Sequence, residues 1–149
     1  MNDYNQTVDH GFLTDLPAKG RFLDVGAYDG RTFSNTRALL EDGWTGVWVE
    51  PAAHAFDALV TNALPGVEMV NCLLGPKTGI RAFNYSRDAV STTDDSNRDL
   101  WAARVRFTPV YVMELSVDDF MVTFPGPYDL VSIDTEGTSL SILDLLQPY

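Results

Sequence analysis

The sequence predicts an α/β domain built on a mostly parallel sheet. Short apolar runs alternate along the chain with helical patterns, which is typical of strand–helix–strand units. Residues 46–49, GVWV, are β-branched and aromatic without polar alternation, as expected for a parallel strand that is covered on both faces. The length of 149 residues is that of one ordinary domain, so we expect residues 1–149 to form a single unit.

Turn-forming residues separate the predicted elements. A turn with Gly26 and Gly30 follows the first strand, Gly43 ends the first helix, and Pro65 and Gly66 end the second. The second helix is the clearest, because its apolar residues recur at i, i+3, i+4, i+7 and i+8. We predict strands, in order, at residues 21–25, 46–49, 67–74, 80–85, 110–115 and 128–133. We predict helices at residues 33–41, 56–64 and 117–120, and an apolar helix that starts near residue 139.

One long connection differs from the other turns. Residues 86–97, SRDAVSTTDDSN, are polar and have no regular period. Connections of this kind are often mobile and often carry functional residues. We therefore predict a weakly ordered loop that lies near a ligand.

Composition and charge exclude several classes of function. The 10 basic and 21 acidic residues give a net charge of −11, which repels phosphate backbones and anionic lipids, so we expect no nucleic-acid partner and no membrane partner. The polar N-terminus does not resemble a secretory signal, and we expect a cytoplasmic protein. A single cysteine and two histidines cannot form a disulfide or a Cys/His zinc site, so a bound metal would need oxygen ligands.

The turn after the first strand places an acid and two glycines where a ligand could approach the backbone. The spacing from Asp24 is D-x-G-x-x-x-G, whereas a dinucleotide site has G-x-G-x-x-G and a helix N-terminus that receives a pyrophosphate. The spacing therefore suits a ligand without a pyrophosphate. S-Adenosyl-L-methionine is such a ligand, and its positive sulfonium and ammonium groups would suit Asp24 and Asp29. The alternative is a glycine turn that only connects a strand to a helix.

Glu50 lies 26 positions after Asp24, directly after the second predicted strand. In an open parallel sheet, ligands bind beyond the carboxyl ends of the strands, where an acid can accept hydrogen bonds from both ribose hydroxyls. Because Glu50 follows the buried run VWV and precedes Pro51, we favour ribose binding over the alternative of a solvated loop acid.

Three blocks in order, DVGAYDGRTFSNT, GWTGVWVEP and SIDTEGTSLSIL, resemble the FkbM-type methyltransferases, which depend on S-adenosyl-L-methionine. The resemblance covers about residues 22–143. It implies a Rossmann-like class I methyltransferase fold, a three-layer sandwich around a mostly parallel sheet. It also implies O-methylation of a sugar or of another small molecule, so the expected partner is a small-molecule or glycan acceptor.

The resemblance also assigns residues to the cofactor pocket. Asp24, Gly26 and Gly30 would shape its methionine end, and Glu50 would hold the ribose. Ser34 and Asn35 would help to seat the amino-acid end of the cofactor, and Cys72 and Leu73 would border the adenine. The complete predicted cofactor set is Asp24, Gly26, Ala27, Asp29, Gly30, Ser34, Asn35, Glu50, Pro51, Cys72 and Leu73.

Asp134 and Glu136 follow the predicted strand at residues 128–133 and would face the same crevice. Methyl transfer is an in-line displacement, so the enzyme positions an acceptor oxygen and removes its proton, and a carboxylate can do both. We assign this role to Asp134. Glu136 would support it or would join Asp134 as an oxygen ligand of a divalent cation such as Mg²⁺. The alternative is that both acids cap the helix that follows.

The resemblance also bears on the C-terminal end. FkbM-type domains normally continue into further sheet strands after the last helix seen here, so we expect those strands to be missing. The strand at residues 128–133 would then lie at a sheet edge, and the last helix would lose part of its cover, which predicts self-association through this face. The missing strands also leave open a catalytically idle module for cofactor binding or interaction. A nicotinamide-dependent oxidoreductase is disfavoured by the glycine spacing and by the lack of a Tyr-Lys or His-Asp constellation.

Overall fold

The computed structural model describes residues 15–149, which contain seven strands and five helices. No helix in this range combines the length and the apolar character that a membrane span needs. In chain order, the elements are β1 (Arg21–Val25), α1 (Arg37–Glu41), β2 (Thr45–Val49), α2 (Ala53–Asn62), β3 (Val67–Val70), β4 (Leu73–Gly75), β5 (Gly79–Tyr85), α3 (Asp95–Trp101), β6 (Thr108–Ser116), α4 (Val117–Thr123), β7 (Leu130–Ile133) and α5 (Ser139–Leu146).

The central sheet has the strand order β3-β2-β1-β7, and all its neighbouring strands are parallel. Alternate residues of β1 and β2 point to opposite faces, as the period of a strand requires. On one face, Leu23 and Val49 pack with Phe120 of α4 and Ile142 of α5. On the other face, a second cluster packs with α1 and α2: Phe22, Trp48, Leu39, Leu40 and Leu59. The predicted three-layer α/β sandwich with a mostly parallel sheet is therefore confirmed.

A smaller sheet is inserted in sequence between β3 and β7. Its strand order is β4-β6-β5, with β4 parallel and β5 antiparallel to β6. The sequence predicted one strand over residues 67–74, but the structure divides it between the two sheets. The break falls at Asn71, whose side-chain amide donates to the carbonyl oxygen of Glu50 at 2.7 Å and so turns the chain away from the central sheet.

The prediction of a loop over residues 86–97 was wrong in its second part, because α3 begins at Asp95. Asp94 caps this helix, and its carboxylate accepts hydrogen bonds from the backbone N–H groups of Ser96 and Asn97. The first part is held by hydrogen bonds around Ser86, which is almost completely buried. An aspartate at the N-cap of a helix is a signal that the sequence did contain.

The last strand and the last helix of the described chain leave apolar side chains exposed. β7 is an edge strand of the central sheet. Val131 of this strand is 40% exposed, and α5 exposes 78% of Leu140 and 46% of Leu143. An apolar surface therefore lies next to an open sheet edge, as expected for strand 128–133 and the helix after it.

Candidate active site

A cavity of about 250 Å³ lies across the carboxyl ends of β1, β2 and β7 and extends to the small sheet. In an open α/β sheet this is the usual position of a ligand. The cavity brings together seven of the residues predicted from the sequence: Gly26, Glu50, Pro51, Cys72, Leu73, Asp134 and Glu136. The other predicted residues, Asp24, Ala27, Asp29, Gly30, Ser34 and Asn35, do not line it.

The two predicted glycines of the first turn have different surroundings. Gly26 has a φ of +89°, and a Cβ at this position would overlap the carbonyl oxygen of Asp134. Only glycine lets the turn after β1 and the turn after β7 approach this closely. Gly30 has a φ of +68°, and its Cβ would lie 2.8 Å from the indole ring of Trp48. Gly30 therefore packs against the core rather than against the cavity.

Asp24 lies beneath this turn. It is 3% exposed, and its carboxylate accepts a hydrogen bond from the hydroxyl of Thr36 at 2.7 Å. The same hydroxyl accepts a hydrogen bond from Nε1 of Trp48 at 2.9 Å. Burial raises the pKa of Asp24 to about 6, although the hydrogen bonds from Thr36 and Ser132 oppose the rise.

Three further predicted residues hold the loop that follows. The carboxylate of Asp29 accepts hydrogen bonds from the backbone N–H groups of residues 31 and 32. The hydroxyl of Ser34 accepts a hydrogen bond from the backbone N–H of Arg37 at 3.1 Å, and the amide of Asn35 donates to the hydroxyl of Ser132 at 3.2 Å. These contacts fix the loop and give none of the three side chains a position in the cavity wall.

Glu50 is a buried acid that faces the cavity. It is 6% exposed, and its carboxylate accepts hydrogen bonds from the backbone N–H groups of Tyr28 at 2.9 Å and Ala52 at 2.7 Å. Tyr28 adopts a φ of +52°, a left-handed conformation that is costly for a residue with a Cβ. Burial raises the pKa of Glu50 to about 7, because the two backbone N–H groups offset only part of the desolvation. The carboxylate has about four lone-pair sites, so it can accept two more hydrogen bonds from a ligand.

The turn after β7 is held by the polar segment before it in sequence. Glu136 adopts a φ of +50°, and its carbonyl oxygen accepts hydrogen bonds from the hydroxyl of Thr92 at 2.6 Å and the amide of Asn97 at 2.7 Å. The Asn97 amide also donates to the Glu136 carboxylate at 3.1 Å. The contact of Asn97 was missed, since nothing in the sequence connects positions that lie 39 residues apart.

The alternative in which Asp134 and Glu136 cap the following helix was wrong. α5 begins at Ser139 with Thr138 at its N-cap, and its first turn contains no acidic residue. The predicted oxygen-ligand site for a divalent cation is not supported either. Among residues 15–149, no group of three or more His, Cys, Asp or Glu side chains is placed to hold a metal ion.

The cavity wall next to the small sheet contains the predicted residues Cys72 and Leu73 and also an ion pair that the sequence did not indicate. Cys72 is 3% exposed, and burial raises the pKa of its thiol to about 11, so it is neutral. Arg81 and Glu114 form an ion pair of 3.2 Å at this wall. β5 and β6 carry them, and they meet only through the antiparallel pairing of these strands.

Fold and site together define a Rossmann-like domain with a ligand cavity at the carboxyl ends of its parallel strands, as in methyltransferases of this architecture. Residues 24–147 match the family model of the methyltransferase FkbM domain. The chain belongs to the FkbM methyltransferase family, which confirms the resemblance seen in its sequence. No curated protein and no solved structure matches the chain.

Proposed function

We propose that the chain binds S-adenosyl-L-methionine in this cavity and methylates a hydroxyl group of a sugar or another small molecule. The observation that carries the proposal is the geometry of Glu50. Its carboxylate is buried, fixed by two backbone N–H groups and open to the cavity on its remaining side. A fixed acceptor of this kind suits the two adjacent hydroxyls of a ribose.

The remaining cavity walls suit the other parts of the cofactor. The turn at Gly26 lets the methionine end approach the backbone closely, since no side chain intervenes. Pro51, Cys72 and Leu73 offer an apolar surface to the adenine. Asp134 and Glu136 line the cavity near the turn of Gly26, and their acidic side chains favour a cationic ligand group there.

When bound, S-adenosyl-L-methionine supplies an electrophilic methyl group. Asp134 would position the acceptor hydroxyl and take its proton, so that the acceptor oxygen could receive the methyl group that the cofactor would supply. Asn97 holds the neighbouring Glu136 carboxylate in place, and Glu136 supports the acceptor. Thr93 lines the same cavity and offers its hydroxyl group to a polyhydroxylated acceptor.

Calorimetric titration tests the cofactor part of the proposal. The wild-type chain, Glu50→Ala and the surface variant Glu68→Ala should be titrated with S-adenosylmethionine, S-adenosylhomocysteine and NADH. We expect both S-adenosyl compounds to bind, NADH not to bind, and Glu50→Ala to weaken binding at least about tenfold, or about 1.4 kcal/mol. Glu68 lies outside the cavity wall, so its variant should bind as wild type does. Absence of binding by the wild-type chain would refute the proposal.

Transfer is tested separately with S-adenosylmethionine that carries a labelled methyl group. Sugars, glycosides and other hydroxylated small molecules serve as acceptors, and label in the acceptor is measured together with S-adenosylhomocysteine. Label should appear in a hydroxylated acceptor and disappear in Asp134→Asn. Cofactor binding without transfer to any acceptor would instead support the idle cofactor-binding module.

Self-association through the face of α5 is part of the same proposal. The exposed side chains of Leu140 and Leu143 lie on the helix that follows edge strand β7, and a second copy could cover both. Light scattering should show a dimer for wild type and a monomer for Leu140→Glu. A monomeric wild type with normal thermal stability would refute the self-association.

A further inference from the structure

The cavity wall formed by the small sheet contains a buried carboxylate that the proposed function has not used. Glu114 of β6 is 5% exposed and lines the same cavity as Glu50. Its Oε2 accepts a hydrogen bond from Nη1 of Arg81 at 3.2 Å. A buried carboxylate costs stability unless its charge and its lone pairs have partners. Its second oxygen, Oε1, therefore needs a hydrogen-bond donor as well.

Backbone geometry brings this carboxylate to the cavity. Glu114 pairs in register with Leu73, and a Cβ on Gly75 would overlap Oε1 of Glu114. Only the absence of a side chain at Gly75 lets the carboxylate lie over β4 in this way. Glu114 thus lies beside Leu73, which borders the adenine in the proposed complex.

The two oxygens of this carboxylate differ in their partners. Arg81 donates to Oε2, whereas no residue in the range 15–149 donates a hydrogen bond to Oε1. The side chain of Arg81 is 47% exposed, so solvent reaches the guanidinium while the carboxylate stays at the cavity wall. A ligand group that donates a hydrogen bond would satisfy the free oxygen.

We propose that Glu114 recognises the purine base, with Oε1 accepting a hydrogen bond from the 6-amino group of the adenine. This inference rests on the proposed function, because it assigns the base to the wall beside Leu73. A 6-oxo purine presents a carbonyl oxygen in place of the amino group. Two acceptors would then face each other in a buried site, so Glu114 selects adenine against hypoxanthine.

The test compares two ligands that differ at position 6 of the purine, S-adenosylhomocysteine and S-inosylhomocysteine, by calorimetry. Wild type should bind the 6-amino compound at least about tenfold more tightly. Glu114→Gln should reduce this preference to less than about threefold, because the amide can present its oxygen to an amino group or its NH₂ to a carbonyl. Glu68→Gln is the matched control, since it removes a similar strand glutamate from an ion pair with an arginine, at 3.3 Å, outside the cavity wall. It should keep the wild-type preference.

The outcomes distinguish a failure of this inference from a failure of the proposed function on which it rests. Equal binding of both compounds by wild type would overturn the role of Glu114 even if the Gln variant did not fold. A full preference retained by a folded Glu114→Gln would overturn it as well, while the binding of S-adenosylhomocysteine would still support the proposed function. Glu50→Ala should weaken both compounds by the same factor, because it acts on the ribose. Binding of neither compound by wild type would refute the proposed function and this inference together.

Discussion

Replacing Glu50 by glutamine should flatten the pH dependence of stability. Burial raises the pKa of Glu50 from 4.5 to about 7, so between these values the folded chain retains a proton that the unfolded chain releases. The stabilising contribution of this proton is complete below pH 4.5 and is lost as the pH rises through about 7. One pKa unit corresponds to about 1.4 kcal/mol, so the loss reaches about 3 kcal/mol by about pH 8.

The assay is urea denaturation of wild type and Glu50→Gln at intervals between about pH 5 and about pH 8. Glutamine does not ionise, and it accepts only one of the two backbone hydrogen bonds that Glu50 accepts from Tyr28 and Ala52. The lost bond costs about 1 kcal/mol at every pH and shifts the whole curve without changing its slope. The wild-type free energy of unfolding should therefore fall relative to that of the variant by about 2.5 kcal/mol over this range, because part of the loss occurs below about pH 5.

The difference between the two curves reports the ionisation of Glu50 alone, because the other buried acid beside the first turn is present in both proteins. Asp24, whose pKa is raised to about 6 by burial, titrates in wild type and variant alike. Glu68→Gln, at a half-exposed surface position, controls for the loss of one negative charge. Parallel curves for wild type and Glu50→Gln would refute the claim that burial of this carboxylate opposes its ionisation.

Three further results are expected. Binding of S-adenosylhomocysteine should weaken as the pH falls through about 7, because the ionised form of Glu50 binds the ribose; titrations at several pH values should show a much smaller effect for Glu50→Gln. Thr92→Val should lower the free energy of unfolding in urea by about 2 kcal/mol, since it removes the hydrogen bond to the carbonyl of Glu136 and the one from the backbone N–H of Asp94, and an unchanged value would contradict this role. Gly26→Ala should cost more than about 2 kcal/mol, because its Cβ would meet a backbone carbonyl at positive φ; Gly79→Ala, with open space at its Cβ, should leave the melting temperature nearly unchanged.

The parts of the fold that follow from local patterns were predictable from the sequence. β1, β2, β7 and the helices near them are marked by apolar runs and by glycine or proline turns, and Glu50 was found because an acid follows a buried run at the carboxyl end of a strand. Local chemistry decides these features. The division of residues 67–74 between two sheets was not predictable in this way, because a hydrogen bond from Asn71 to Glu50 makes the break.

Contacts between distant positions account for most of what the sequence did not reveal. Thr92 and Glu136 lie 44 residues apart, and Arg81 and Glu114 lie 33 apart. No periodicity or spacing relates such pairs, since strand pairing in the small sheet and the docking of the polar segment bring them together. The glycine motif shows the same limit, because D-x-G-x-x-x-G does not tell which glycine faces the cavity and which packs against Trp48.

The two buried acids beside the first turn, Asp24 and Glu50, differ in their hydrogen-bond partners. Burial raises the pKa of both acids, and the charge of Asp24 adds to the rise at Glu50, so at neutral pH the ionised form of each opposes folding. Asp24 has hydroxyl partners within the protein, Thr36 above all, and it does not line the cavity. Glu50 has two backbone partners, and it lines the cavity with acceptor capacity left over. Because unused acceptor capacity in a buried site needs a donor, Glu50 is the acid that we propose a ligand completes, whereas the partners of Asp24 lie within the protein.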